Sequence, residues 1–451
     1  MGWMITGTEV RQRFRSAAGR SNWRAVLIAA LFIGLPPMSE ALAADGDALS
    51  VSGEPVHILD LRCNADHSVA ATANIGTDGA LLHSSDGGQT WSIALRGGGL
   101  KGVAPRFFDD PRDQPDTNGP LVAAGYQSIG LVPWTYPLAG WVRSTDAGRT
   151  WATTPARLPA QDSRDPIGLL PPLVVVDSTG RLATTRQLPS PALLTSDDQG
   201  ATWSETRLPL IDTDVYHLFG DGRGRLLAVG SAKSVFGANR LLVVQSDDSG
   251  KTWSVAMDEA ADHLACHPRA IVGPAGEMMI YNPCAEFGKR YYLSSDGGRT
   301  WGTRKFQRYA RGAFELIGAV EGNRWLAISK EASGSLFAWI SDNGGIDWRG
   351  EPTGFAILSG NPWLHMQSIM VLPGGKVLAY VGDGQLLRST DRGDSWQLIE
   401  TGLPRKQTLW MGAHCTDGRG TVILGGSKGT LIHSSDGGAS WKRGQFAVEQ
   451  R

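Results

Sequence analysis

The sequence predicts an all-β fold, a β-propeller of about eight four-stranded blades; seven is the alternative count if one repeat is degenerate. Three observations predict it: an eight-residue segment that recurs eight times, a tryptophan closing each copy at near-constant spacing, and short strand-like runs filling the intervals. The segment first reads Ser84-Ser85-Asp86-Gly87-Gly88-Gln89-Thr90-Trp91 and returns at 144–151, 196–203, 246–253, 294–301, 341–348, 389–396 and 434–441. The closing tryptophans lie 60, 52, 50, 48, 47, 48 and 45 residues apart, the length of one four-stranded blade. Composition agrees, because 58 glycines and 16 tryptophans are many for 451 residues of which only 19% are charged. The glycines have no three-residue period, which excludes collagen, and one apolar stretch is too few for a polytopic membrane protein.

Taken from the N-terminus, Arg11, Arg13, Arg15, Arg20 and Arg24 precede the apolar run 25–35, then Pro36-Pro37 and Ala41-Leu42-Ala43. This order reads as a secretory signal peptide, residues 1–43, cleaved after Ala43; the alternative is an uncleaved anchor. Residues 44–451 then form one propeller domain, periplasmic or secreted, with no membrane span after cleavage. Removing 1–43 takes away five arginines and two acids, so the formal charge falls from −1 to −4. That balance lacks the basic footprint of nucleic-acid binding.

The first repeat supplies strands at 56–63, 68–73, 80–84 and 90–95, the last at 408–416, 421–426, 430–434 and from 440. Both terminal blades contain four strands of their own, so no strand is left for exchange and the ring must close by other means. Between the third and fourth strands, Ser-x-Asp supplies short side chains that bond turn amides, and glycine accepts positive φ. Thr-Trp follows, its indole packing under the turn with the N–H free to find a carbonyl. One copy departs: Asn343 stands in place of Asp, and Asp347 in place of Thr or Ser. Asn also caps turns, so that blade is expected to survive.

Four cysteines in an exported chain point to disulfides. Cys63 and Cys415 fall on the innermost strands of the first and last blades, which meet when a ring closes, so a Cys63–Cys415 bridge is expected. Cys266 and Cys284 flank Gly273-Pro274-Ala275-Gly276 as opposed hairpin residues and form the second candidate pair. The alternative is four buried free thiols. His217, His267, His365 and His414 fall on predicted inner strands, but at different depths, so no metal site is expected, and no cofactor.

The repeated segment resembles the Asp-box, or BNR, repeat S-x-D-x-G-x-T-W of sialidases, some other glycoside hydrolases, sortilin-type receptors and the photosystem II stability and assembly factor family. The resemblance covers about residues 50–448 and implies that Asp86, Asp146, Asp198, Asp248, Asp296, Asn343, Asp391 and Asp436 are structural. Sialidases carry Arg-Ile-Pro ahead of the first box, and this chain has none. The texture is most similar to the photosystem assembly factor family, which implies a non-enzymatic propeller holding an envelope protein or a glycan during assembly or transport. That family has seven blades and an arginine patch that does not map onto this chain residue by residue.

The alternative function is a glycoside hydrolase working through two loop carboxylates, for which Asp60, Asp109, Asp110, Asp162, Asp165 and Glu315 are candidates. A binding site is expected where inner-strand ends and connecting loops converge. Arg62, Arg106, Trp134, Arg269, Trp363, His365, Trp410 and His414 are the candidates, together with the aromatic-rich segment 97–140. The protein is expected to be monomeric.

Overall fold

A computed structural model of the chain describes residues 50–446 apart from 98–99, 101–102, 108–120, 128–137, 155–168, 178, 187–190, 199, 210, 213, 234–238, 261–267, 274–275, 282–289, 306–313, 332, 357–368, 383–384 and 404–408. The expected signal peptide, the aromatic Trp134 and the pair Cys266 and Cys284 lie outside the described residues. Among the described residues the strands form eight sheets in chain order, each with the antiparallel order first-second-third-fourth. Sheet 1 is Glu54–Cys63, Val69–Ile75, Asp78–Ser84 and Thr90–Arg96, with the short Ser50–Val51 added beside its first strand, and sheet 8 is Leu409–Thr416, Val422–Gly426, Leu431–Ser434 and Lys442–Arg443. These agree with the expected strands to within about two residues. No helix among the described residues is long and apolar enough to cross a membrane.

Every sheet is built from residues that bury both faces at its middle strands. Val69–Ile75 and Val422–Gly426 are buried along almost their whole length, which is why they read as continuous apolar runs rather than alternations. Their side chains pack across to the neighbouring sheets. Buried clusters join sheets 1 and 2 through Leu81 and Phe107, 3 and 4 through Leu193 and Leu226, and 4 and 5 through Val229 and Ile280. The same holds for 5 and 6 through Tyr291 and Trp325, 6 and 7 through Ile328 and Val377, and 7 and 8 through Leu378 and Leu424. A last cluster joins sheet 8 back to sheet 1, with Ile423 and Ala413 against Ile58 and Leu61. Sheets that pack on one another in chain order, the last on the first, are arranged as in a propeller; the packing of sheet 2 on sheet 3 lies outside the described residues.

The recurring turn joins the third and fourth strands, as expected, and is held by the same bonds in each copy. The serine hydroxyl donates to the aspartate Oδ1 at 2.7–2.8 Å and accepts from the N–H of the glycine four residues on at 2.7–2.9 Å. The aspartate also takes the backbone N–H and hydroxyl of the Thr or Ser four residues on, as in Thr150 at 2.9 and 2.6 Å. Six indoles donate to that glycine's carbonyl at 2.9–3.1 Å. In the departing copy the roles reverse: Asn343 donates to the Asp347 carboxylate at 2.9 Å while its Oδ1 accepts from the Asp347 N–H and from Ser341. The two substitutions compensate each other.

The turns also join the sheets. A Cβ built on that glycine would meet the preceding sheet: Ala70 at 2.6 Å from Gly148, Leu227 next to Gly298, and Leu326 at 2.5 Å from Gly393. Polar bonds reinforce this seam, with Asn64 donating to the Ala147 carbonyl at 3.2 Å and Arg388 to the Gly437 carbonyl at 2.9 Å. Between sheets 6 and 7 the buried Arg324 reaches Asp394 with two nitrogens, at 2.9 and 3.0 Å, and Asp342 at 2.6 Å.

Ring closure is where the structure corrects the sequence reading. The expected Cys63–Cys415 disulfide is present, with the Cα atoms 5.5 Å apart. Yet a strand is exchanged after all: Gln445–Phe446 leaves sheet 8 and pairs in parallel with Thr90 and Trp91 on the outer edge of sheet 1. Gly444 permits the crossing, for a side chain there would crowd Leu431 and the Gly88 carbonyl. Two residues are too short a segment to show alternation, so the pattern gave no warning. The seam is completed by Ile58 packed onto Gly425, where a Cβ would come within 2.4 Å.

Candidate functional site on the inner strands

The first strand of each sheet lies at the inner edge of its blade, and the register with the second strand sets depth. Asp60 is opposite Thr72, Arg106 opposite Ala124, His217 opposite Val229 and Arg269 opposite Tyr281. Each partner is the fourth residue of its second strand, so these four residues share one depth in sheets 1, 2, 4 and 5. His414 is opposite Leu424, the third residue of its strand. His217 and His414 thus differ in depth.

Inner strands carry irregularities that a period-two pattern does not show. Register shifts fall between Ile58 and Asp60, Val215 and His217, and Phe314 and Leu316. Such bulges re-aim the residues after them. Asp60 is turned inward, where its Oδ1 accepts from the Leu61 N–H at 2.9 Å and from Arg62 at 3.2 Å. Arg62 also donates to the Leu61 carbonyl at 3.1 Å, and its guanidinium lies 5.6 Å from the centre of the Phe107 ring. Phe107 is buried and stacked on Trp151. The arginine is therefore pinned between sheets 1 and 2, and Phe107 is part of the core rather than of an aromatic surface.

His217 Nε2 donates to the Pro268 carbonyl at 2.9 Å, bridging sheets 4 and 5, and its ring stacks on Phe219. That bond gives the histidine a structural task. Arg269 is half-buried beside Tyr281, whose phenol is pushed up to about 12 by burial although Arg269 opposes the shift. His414 is half-buried next to Cys415. Arg106 and Trp410 lie on the first strands of sheets 2 and 8; their side chains lie outside the described residues, as do Trp363, His365 and His267. Of the carboxylates weighed for hydrolysis, Asp60 is engaged by Arg62, Glu315 lies on Phe314–Ala319, and Asp109, Asp110, Asp162 and Asp165 fall outside the description.

Sequence reasoning passed over a second group of polar residues, at the seam of sheets 8 and 1. A cavity of about 200 Å³ is lined there by His67, His433, Gln89 and Lys442 with residues of both turns. His67 Nδ1 is 3.1 Å from Asp417 and its Nε2 is 2.8 Å from Arg419. The available signal was the shared string His-Ser-Ser-Asp-Gly-Gly, which puts His83 and His433 immediately before the first and last turns.

Three histidines are shifted toward the neutral form. Burial lowers His57, His83 and His433, and the neighbouring cations Lys428, Arg149 and Lys442 lower them further. The turn carboxylates are lowered as well, but toward their charged form. Asp146 and Asp248 are held at about 2, chiefly by the Thr150 and Thr252 hydroxyls and then by their N–H groups. Asp296 reaches about 2 against the effect of burial, through Thr300 and Ser294. In both sets the unfolded chain binds more protons than the folded one, so stability is lost as pH falls. The expected urea midpoint is level above pH 7, declines below about pH 6.5 as the histidines protonate in the unfolded state, and drops steeply from about pH 4 toward 2. A midpoint that rises between pH 7.5 and 5 would contradict the histidine assignment.

No family model and no curated protein matches the chain. Among solved structures, Sqt1 of Saccharomyces cerevisiae has a TM-score of 0.52 over 86% of this chain and 98% of that one, at 10% identity. YCF48 bound to a D1 peptide is similar over 87% of this chain and 99% of its own, at 16% identity and a TM-score of 0.46. The GH74 enzyme of Niastella koreensis covers 86% of this chain with 78% of its own, at 15% identity and a TM-score of 0.29. What the eight sheets and the likeness to Sqt1 establish together is the fold, an all-β propeller.

Proposed function

We propose that the chain is an exported, non-enzymatic propeller whose inner-strand residues bind a protein or glycan partner of the cell envelope. In this reading residues 1–43 are a signal peptide, the eight turns are Asp-box turns, and 44–451 is a monomeric periplasmic or secreted domain. The observation that carries it is the shared depth of Arg106 and Arg269 with Asp60 and His217. It brings basic residues of two separate sheets to one level, while the repeated carboxylates are occupied inside the turns. The disulfide supports an oxidising compartment.

The test is crosslinking of the purified domain to envelope extract, with Arg106→Glu/Arg269→Glu as the comparison. The charge-reversed protein is expected to keep its melting temperature and lose at least about tenfold in partner yield, as loss of a charge-assisted anchor costs about 1.5–3 kcal/mol. Unchanged capture removes both residues from the site. A parallel screen against polysaccharides and aryl glycosides is expected to be silent. Turnover abolished by replacing one loop carboxylate would establish a hydrolase instead.

A further inference from the structure

We propose that the outer edge of sheet 5 is a docking edge for an extended acidic segment of a partner protein, a surface separate from the inner-strand positions. Sheet 5 ends in Arg290–Ser294 and Gly302–Lys305. From 290 to 305 the chain carries Arg290, Arg299, Arg304 and Lys305 against one acid, Asp296, in a protein whose basic and acidic totals are nearly equal. Asp296 is occupied by Ser294 and Thr300. Arg290 and Lys305 are directly opposite each other, an arrangement that costs stability because like charges face across the ladder. Both are exposed. Among the described residues no carboxylate pairs with Arg290, Arg304 or Lys305, and Arg304 reaches only the Thr303 carbonyl. A locally unfavourable cluster of unneutralised cations on a strand edge is a site that an acidic partner relieves.

The two sides of the edge differ in a way that defines that partner. Opposed residues share a face, so Arg290 and Lys305 lie on the face of Tyr292, which packs toward sheet 4. Arg304 is opposite Tyr291, whose hydroxyl donates to the Gly345 carbonyl of sheet 6. Cations therefore flank the edge on both faces. Side chains of an added strand alternate between faces, so the segment that neutralises both carries acids at consecutive rather than alternate positions. The molecule itself shows that a fourth strand of this ring accepts another, because Gln445–Phe446 adds to the corresponding edge of sheet 1. Other edges are less suited: sheet 4 ends in a strand with Asp258 and Glu259, and sheet 6 has Pro352 and a register break in its last strand. Main-chain bonds supply affinity in this mode and the flanking side chains supply selectivity.

The test uses the full mature protein and fluorescence anisotropy of a labelled eight-residue peptide bearing four consecutive acids. Saturable binding is expected, weakened at least tenfold by Arg304→Glu/Lys305→Glu and at least tenfold by N-methylation of alternate peptide amides, which keeps the charges and removes the ladder bonds. Arg290→Glu, which replaces the like-charged pair by an ion pair with Lys305, is expected to fold at least as stably as the wild type and to bind more weakly. Arg106→Glu/Arg269→Glu is expected to bind the peptide normally, so failure here and failure of the inner-strand reading are separate results. Equal binding by the charge-reversed edge, or equal binding of the methylated peptide, overturns the proposal. So does tighter binding to phosphatidylglycerol vesicles or to a single-stranded oligonucleotide than to the peptide.

Discussion

Gly298→Ala is expected to destabilise the protein by about 2–5 kcal/mol, more than replacing a turn glycine with open space around it. Two costs add. The residue has φ +82°, and a left-handed conformation costs a residue with a Cβ about 1–2 kcal/mol. The new Cβ would also sit 2.3 Å from Leu227 Cδ1 and 3.1 Å from the Met278 sulfur, and forcing atoms into a packed core costs about 1–3 kcal/mol. Leu227 and Met278 are buried in the cluster joining sheets 4 and 5, so neither retreats cheaply. Gly276→Ala is the control, because it has φ +85° with nothing within 4 Å of its Cβ. It carries only the backbone cost, about 1–2 kcal/mol. Urea unfolding at 25 °C of the two variants separates the contributions, and equal losses would show that the close approach to sheet 4 contributes nothing.

That contrast also shows what a sequence can and cannot disclose. Glycine after Ser-x-Asp is legible as a demand for positive φ, and the strands, the turn bonds and the compensating pair Asn343 and Asp347 follow from residue chemistry over a few positions. The second demand on the same glycine comes from the preceding sheet, roughly a blade's length away in the chain, as with Leu227 for Gly298 and Leu326 for Gly393. No local pattern records it. The candidate site divides in the same way. Depth is set by register, so His217 and Arg269 were assignable to inner strands, whereas Arg106 read as part of the segment 97–140 and in fact lies on the first strand of sheet 2; their alignment depends on bulges such as the shift at His217. Roles depend on neighbours in other sheets: His217 is occupied by Pro268, and Phe107 is a core residue under Arg62. The exchanged strand at 445–446 was missed because its pairing partner, Thr90 and Trp91, begins the first blade's fourth strand.

Opening the ring is the second large effect. Cys63 and Cys415 are 352 residues apart, so their bond constrains nearly the whole domain when it unfolds. The chain-entropy relation gives ~6 kcal/mol for a loop of that length, and measured losses for native disulfides are usually about 2–5 kcal/mol. Cys63→Ser/Cys415→Ser is therefore expected to lose about 2–5 kcal/mol in urea unfolding and to match the wild type measured in dithiothreitol. The folded ring should persist, because the seam keeps other fastenings. Among them are Ile58 on Gly425, the added strand on Thr90 and Trp91, and the bonds of His67 to Asp417 and Arg419. Hydrogen exchange distinguishes this from a general weakening: protection should fall first in Glu54–Cys63 and Leu409–Thr416, the strands that carry the two cysteines, and last in sheets 4 and 5 across the ring. Alkylation of Cys63 as a free thiol in the unreduced protein would remove the closure argument altogether. An unchanged midpoint with the bond removed would place the whole of the closing free energy in packing at the seam.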